Sequence, residues 1–246
     1  MMRSTAHTLM ALLVGCGLVA AMGAAPVAAQ PGPSTPTAQI GGAAVKLPVA
    51  SGDCALERAN PTDLRAIELV ESLIRQSNEL HLSVTGCSDL GDWRAGKLPN
   101  LRDYMQVQSP RSLQQQNFAG QEKTIISANC NAVRQQGGAL VSSAADSIKK
   151  RLEEAQQQAL IQNLSLLGAL DEDDFGCYTG LLIKGQTEQG KPKTQLCIFA
   201  TTVLNGKLVY LYHYSDKLDE AEIERVLNER KATAKAYVQA NGGHKK

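Results

Sequence analysis

Asn205-Gly206 is the feature that most restricts how this chain can fold. The dipeptide separates two β-prone runs, residues 195–204 and 207–214. A two-residue type I′ turn needs a positive φ at both central residues, and Asn-Gly adopts that conformation readily. The sequence therefore predicts an antiparallel hairpin whose register is fixed by the turn.

This register predicts which side chains share a face of the sheet. One face receives the cross-strand pairs Thr202–Val209, Ala200–Leu211 and Ile198–His213. The other face receives a stripe of tyrosines: Tyr210, Tyr212 and Tyr214. Both faces carry apolar side chains, so we expect other elements to cover both. The tyrosine stripe is a candidate binding face, because aromatic side chains favour ligand binding, and packing under a helix is the alternative.

Five cysteines follow residue 29: Cys54, Cys87, Cys130, Cys177 and Cys197. A strand is predicted over 175–184, and a hairpin centred near Thr187 would place Cys177 opposite Cys197. Opposed residues on antiparallel strands have Cα atoms roughly 4.5–5.5 Å apart, which is within disulfide range. The sequence therefore predicts a Cys177–Cys197 disulfide, with two buried thiols as the alternative.

Capping residues and apolar periodicity predict three helices, over 62–80, 143–159 and 219–240. The first would be ~28 Å long. The β-prone segment 81–87, turning back along it, would cover ~23 Å. This path returns Cys87 to Cys54 and predicts a Cys54–Cys87 disulfide, which leaves Cys130 unpaired. A Cys87–Cys130 disulfide is the alternative.

The middle of the chain gives weaker signals. Segments 104–108 and 123–130 are predicted strands, 88–100 is a predicted loop, and 159–170 is either the end of a helix or a strand. Consecutive strands with interspersed helices predict an α+β fold, in which an antiparallel-rich sheet is flanked by helices. We expect a single domain over 54–241 with a long C-terminal helix, followed by a tail at 242–246.

Residues 1–29 are predicted to be an export signal. Arg3 precedes a long apolar run, and Val27-Ala28-Ala29 suits cleavage by signal peptidase. The segment ending at Cys16 also resembles a lipobox, but the apolar run continues past Cys16, which favours cleavage over lipidation. An uncleaved anchor is the third interpretation. Segment 30–53, rich in Pro, Gly, Ser, Thr and Ala, is predicted to be a flexible linker.

The charge balance gives no reason to expect an anionic partner. Loss of Arg3 with the signal reduces the 25 Lys and Arg residues to 24, which equals the 24 Asp and Glu residues. Nucleic acid is therefore not an expected partner, and a membrane is expected only if the N-terminus is lipidated or anchored.

The sequence lacks the common catalytic and cofactor motifs, including phosphate loops and zinc-protease helices. No cofactor or metal is predicted. The acidic run Asp171-Glu172-Asp173-Asp174 lacks the alternating ligands of a calcium loop, and a solvated turn is the favoured interpretation.

The C-terminal third combines a hairpin about Asn205-Gly206, an aromatic strand at 210–214 and a helix that ends near Asn241. In this combination it resembles the C-terminal half of small exported bacterial proteins with a PsbP-like fold. The resemblance implies an antiparallel meander with a long helix laid across it. Many such proteins are uncharacterised and others are auxiliary or assembly factors of envelope complexes, so the resemblance implies fold more than activity.

Two functional hypotheses follow. The first is a periplasmic or secreted non-catalytic protein that binds a small ligand or an envelope protein, or helps assemble an envelope complex. The second is an exported enzyme that uses Cys130 or a carboxylate together with His81 or His213. The enzyme hypothesis requires that at least two of these groups meet in one pocket.

Overall fold

The computed structural model describes residues 34–154, 161–186 and 190–243. The predicted export signal, including Cys16, lies outside these residues. So do the end of the predicted second helix and the last three residues of the tail.

Nine strands are found in the described part of the chain: β1 (Thr37–Ile40), β2 (Ala43–Lys46), β3 (Asp53–Ala55), β4 (Asn78–Gly86), β5 (Asp103–Pro110), β6 (Ile161–Glu172), β7 (Cys177–Gln186), β8 (Pro192–Leu204) and β9 (Lys207–Ser215). The helices there are α1 (Pro61–Ile74), α2 (Cys87–Arg94), α3 (Glu122–Glu154) and α4 (Glu220–Ala240). Seven strands form one antiparallel sheet in the order β3-β4-β5-β9-β8-β7-β6, and β1 pairs with β2. The predicted α+β class and the long C-terminal helix are confirmed.

The hairpin about Asn205-Gly206 is confirmed. Asn205 has a φ of 48° and Gly206 a φ of 74°, as the turn requires. The β8–β9 register contains the predicted pairs Thr202–Val209, Ala200–Leu211 and Ile198–His213. Local turn chemistry was sufficient here because the turn contains only two residues.

The caps of α1 and α4 are also those the sequence indicates. The Asn60 carboxamide oxygen accepts from the backbone N–H of Thr62 at 2.9 Å, and Asp219 accepts from Glu222 N–H at 2.9 Å. Helix α1 ends at Ile74, earlier than predicted, because Asn78 already belongs to β4. The predicted strand 104–108 lies within β5, segment 161–172 is strand β6, and the predicted loop 88–100 contains most of α2.

The described residues contain two disulfides, Cys54–Cys87 and Cys130–Cys177. The predicted Cys54–Cys87 disulfide is confirmed: β4 runs back along α1 and brings Cys87 next to Cys54. The prediction of Cys177–Cys197 is wrong. The β7–β8 hairpin pairs Gln186 with Pro192, which puts Cys177 opposite Thr201. Thr201 is ~13 Å along β8 from Cys197, beyond disulfide range, and Cys197 is a buried free thiol.

Cys130 is bonded because the predicted strand 123–130 is the start of α3. Ile125 and Ile126 make this segment look β-prone, but Ile126 and Cys130 are buried one helical turn apart. That spacing places the Cys130 sulfur over the sheet, beside Cys177.

The predicted linker 30–53 is wrong over its described part. Ile40, Val45 and Leu47, on and directly after the β1–β2 hairpin, are buried in the main core. The Asn241 side chain accepts from Lys46 N–H at 2.9 Å and donates to Lys46 C=O at 2.8 Å, which fixes the edge of β2. Small residues hide the alternating burial of this segment, so composition alone gave the wrong result.

The two faces of the sheet carry different helices. On one face α4 packs on β8 and β9, and Val226, Ala234 and Tyr237 are buried there. The other face, which we call the tyrosine face, carries Tyr104 opposite Tyr214. On the tyrosine face α1 lies on β4, and α3 crosses β6, β7 and β8. Strands β5 and β9 therefore run between the strands that support α1 and those that support α3.

Candidate functional site

A cleft of about 430 Å³ lies between α1 and the tyrosine face. Helix α1 supplies one wall with Thr62, Arg65, Ala66, Leu69 and Val70. The floor is formed by Ser83, Tyr104 and Gln106 of β4 and β5. The rest of the lining comes from the end of α2 and the loop after it, from Leu56 and from β8: Trp93, Pro99, Asn100, Leu101 and Lys193. Apolar and aromatic side chains thus form the larger part of the lining, and six polar or charged side chains complete it.

A row of hydrogen-bonded amides ends at Gln106 in the cleft floor. Asn78 donates to Gln108 Oε1 at 2.9 Å, and Gln108 donates to Gln106 Oε1 at 2.9 Å. Gln106 and Gln108 are buried. These bonds hold the Gln106 amide in one orientation at the cleft floor, because a buried amide that lost its hydrogen bond would be left without a partner.

Stacked aromatic rings adjoin the floor. The Tyr104 and Tyr214 rings are 4.7 Å apart with an interplanar angle of 17°, and Tyr212 continues the stack beyond Tyr214. Burial raises the pKa of Tyr104, so its hydroxyl stays protonated and keeps both donor and acceptor capacity. The cleft is lined by Tyr104 and not by the predicted Tyr210, Tyr212 or Tyr214, which are half-buried beside it.

A buried ion pair holds the walls of the cleft in place. The Asp63 carboxylate is fully buried and accepts from Arg94 Nε at 3.0 Å and from Glu57 N–H at 2.8 Å. Burial acts to raise the pKa of Asp63, but the Arg94 and Glu57 hydrogen bonds outweigh it and lower that pKa. The pair joins α1 to α2. It therefore fixes Arg65, two residues after Asp63, relative to Trp93.

Cys130, His81 and His213, the three residues named in the enzyme hypothesis, do not meet in one pocket. Cys130 has no thiol, because it is bonded to Cys177 on the tyrosine face. His81 Nε2 lies 2.7 Å from Ser109 Oγ, and His213 points to the α4 face beside Asp103. None of these lines the cleft. The version of the hypothesis that uses a Cys130 nucleophile is therefore contradicted.

His213 belongs to a charged network between the sheet and α4. Its Nε2 lies 2.5 Å from Asp103 Oδ1, and its Nδ1 lies 3.7 Å from Glu229 Oε2. Arg225 bridges Asp103, Glu229 and Glu222. Only 6 % of the His213 side chain is exposed, and both ring nitrogens face carboxylates. This geometry ties β5, β9 and α4 together and leaves little access to the imidazole.

The network predicts a pH dependence through Glu222. The hydrogen bond from Arg225 lowers the pKa of Glu222 to about 2; burial opposes this and Ser215 assists it. An unfolded Glu titrates near ~4.3, so this stabilisation is complete above that pH and is lost as pH falls toward about 2. We expect Glu222→Gln to be less stable than the wild type at pH 7, with a difference that shrinks as the pH falls from about 4 toward 2. Urea midpoints across this range measure the difference.

The exposed Glu220 in the same helical turn provides the matched control. Glu220→Gln should follow the wild-type curve at every pH. A Glu222→Gln curve that runs parallel to that of the wild type down to pH 2 would contradict the role of Glu222.

Arg230 is a second charged group on the α4 face. Its side chain is buried, and burial lowers its pKa to about 10. It contacts the Met105 sulfur. The negative charges of Glu229, Asp103 and Asp53 raise its pKa and so oppose the effect of burial. These acids keep the guanidinium charged within the core.

The four acidic side chains at 171–174 point to different partners. Asp171 binds Lys231 of α4, Glu172 binds Arg134 of α3, and Asp174 binds Lys123 of α3. Asp173 accepts from the N–H groups of Phe175 and Gly176 within the turn. The carboxylates thus fasten the β6–β7 turn to two helices, and the described residues contain no group of three or more side chains arranged to hold a metal.

Within the described ranges, no helix is both long and apolar enough to cross a bilayer. Comparison with known proteins gives no relative for this chain: no family model, no curated protein and no solved structure matches it.

Proposed function

We propose that this chain is an exported, non-catalytic binding protein that holds a small amphiphilic ligand in the cleft between α1 and the tyrosine face. The cleft is the observation that carries the proposal. Its volume of about 430 Å³ falls within the usual range of ligand sites, roughly 300–1,000 Å³. Its lining combines apolar side chains of α1 with an indole, a tyrosine and one buried amide, which is the composition typical of such sites.

The walls of the cleft are linked to one another, which favours a ligand site over a gap left by imperfect packing. The Cys54–Cys87 disulfide joins β3 to the first residue of α2, and the Asp63–Arg94 pair joins α2 to α1. A cleft whose walls are covalently and ionically linked keeps its shape without ligand, which reduces the entropic cost of binding.

The export part of the proposal rests on the predicted signal at 1–29. The two disulfides support it, because such bonds persist in oxidising compartments. Cleavage after Ala29 and lipidation at Cys16 stay alternative predictions, as do an envelope-assembly role and the PsbP-like resemblance.

N-phenyl-1-naphthylamine, a neutral dye that fluoresces in apolar sites, tests the cleft. We expect one saturable site on the purified protein. Ala66 lines the wall, so a phenyl group in its place fills part of the cleft, and Ala66→Phe should weaken the dye at least about tenfold. Fluorescence titration with a fixed protein concentration gives the Kd of each variant.

Ala236→Phe is the matched control, because Ala236 is exposed on α4. It should bind the dye like the wild type. The absence of saturable binding, or equal affinity in Ala66→Phe and the wild type, would contradict the proposed site.

A further inference from the structure

The charge of the cleft lining indicates what kind of ligand it takes. Among the described residues, those that line the cleft include two cationic side chains, Arg65 and Lys193, and no carboxylate. A mostly apolar cleft with cations at its edge favours molecules that combine an apolar body with a negative group, because the cations attract the anion and the walls shield it from water.

Arg65 and Lys193 differ in whether they already form an ion pair within the protein. Lys193 Nζ is 3.0 Å from Asp216 Oδ1, so its charge is already balanced. Within the described chain the Arg65 guanidinium has no ion pair and no hydrogen bond. The guanidinium groups of the nearby Arg58 and Arg94, in contrast, are paired with Glu71 and Asp63. Arg65 therefore keeps its full set of N–H donors for a ligand. A guanidinium matches the geometry of carboxylate, phosphate and sulfonate groups through two parallel hydrogen bonds.

The apolar part of the ligand can pack against aromatic and aliphatic side chains of the cleft. One face of the Tyr104 ring is covered by Tyr214, and Tyr104 also lines the cleft, so a ligand meets the part of the ring that Tyr214 leaves uncovered. Trp93, Leu69 and Val70 supply further apolar surface. A planar or ring-containing body can extend the existing tyrosine stack at this end, because offset stacking of aromatic rings is favourable.

We infer that the ligand is an amphiphilic organic anion whose acidic group binds Arg65 and whose apolar body lies on Tyr104 and Trp93. This assignment rests on the proposed function and adds the charge of the ligand and the residue that selects it. Lys193 contributes less than Arg65, because a ligand has to compete with Asp216 for it.

The probe is 1-anilinonaphthalene-8-sulfonate, which has the ring body of N-phenyl-1-naphthylamine and one added sulfonate. Arg65→Gln should weaken the sulfonate dye about fivefold, the effect of losing one partly exposed ion pair, and should weaken the neutral dye by less than about twofold. The loss should be largest at low ionic strength and shrink as salt screens the pair. Lys193→Gln should have a smaller effect of the same kind.

Arg75→Gln is the charge-matched control. Arg75 is exposed at the end of the same helix, ~15 Å from Arg65, and does not line the cleft. It should leave both dyes unaffected.

Each outcome has a distinct meaning. If the neutral dye binds in the cleft but Arg65→Gln affects both dyes equally or neither, the anion assignment is overturned and the proposed function stands. The same holds if Ala66→Phe does not weaken the sulfonate dye, which then binds elsewhere. If the neutral dye does not bind, the proposed function falls and the assignment falls with it.

Discussion

Replacing Cys130 and Cys177 together by alanine is expected to lower the free energy of unfolding by about 4 kcal/mol. The disulfide closes a loop with a sequence separation of 47 residues, and its removal restores that much freedom to the unfolded chain. Both cysteines are fully buried, so the native state also loses packing between α3 and β7. Urea unfolding at pH 7, analysed with the slope as well as the midpoint, measures the loss.

Cys197→Ala is the control for this variant. Cys197 is equally buried but has no disulfide partner, so we expect a loss of only about 1 kcal/mol. Peptide mapping without reduction should recover Cys130 linked to Cys177. A peptide linking Cys177 to Cys197, or a double variant as stable as Cys197→Ala, would contradict the assigned pairing.

Asp63→Ala is expected to cost about 3 kcal/mol, the second largest effect. The change removes the acceptor of Arg94 and of the Glu57 N–H at once, in a place where Asp63 has no exposed surface. Trp93 is the single tryptophan of the chain and adjoins Arg94. Its fluorescence therefore reports both the unfolding transition and any shift of the cleft wall in the native state.

The exposed pair of Arg58 and Glu71 gives the comparison. Glu71→Ala removes a carboxylate from the same helix and should cost only roughly 0.5 kcal/mol, as exposed ion pairs do. Equal losses in Asp63→Ala and Glu71→Ala would show that burial of Asp63 does not matter.

Elements defined by adjacent residues could be predicted from the sequence. Asn205-Gly206 determines the β8–β9 register because both turn residues need positive φ, and Asn60 and Asp219 determine helix starts because their side chains accept from nearby N–H groups. The Cys54–Cys87 pair follows from the length of one helix and the strand that returns along it.

Features that depend on the position of a hairpin turn, or on packing between distant parts of the chain, could not be predicted from the sequence. The β7–β8 connection, residues 187–191, contains no Asn-Gly dipeptide to fix its centre. The Gln186–Pro192 pair centres the hairpin near residue 189 and not near Thr187, which moves the partner of Cys177 by four residues. Ile125 and Ile126 have β propensity, but the packing of α3 on the sheet overrides it.

The cleft, too, could not be predicted from the sequence. Arg65, Trp93 and Tyr104 come from a helix, the end of a second helix and a strand, and only the tertiary structure brings them together. The opposition of Tyr104 to Tyr214 could have been found only with the β5–β9 pairing, which spans more than a hundred residues. No local periodicity carries that information.

The place of β9 in the sheet has a consequence for biosynthesis. β9 lies between β5 and β8, and among the described strands no other pairing connects β3, β4 and β5 to β6, β7 and β8. The chain must therefore deliver its last strand before the sheet becomes continuous, and its longest-range pairing, Asp103 with Ser215, forms only then. A chain emerging N-terminus first, from a ribosome or through a membrane pore, keeps two incomplete half-sheets until almost all of it has emerged.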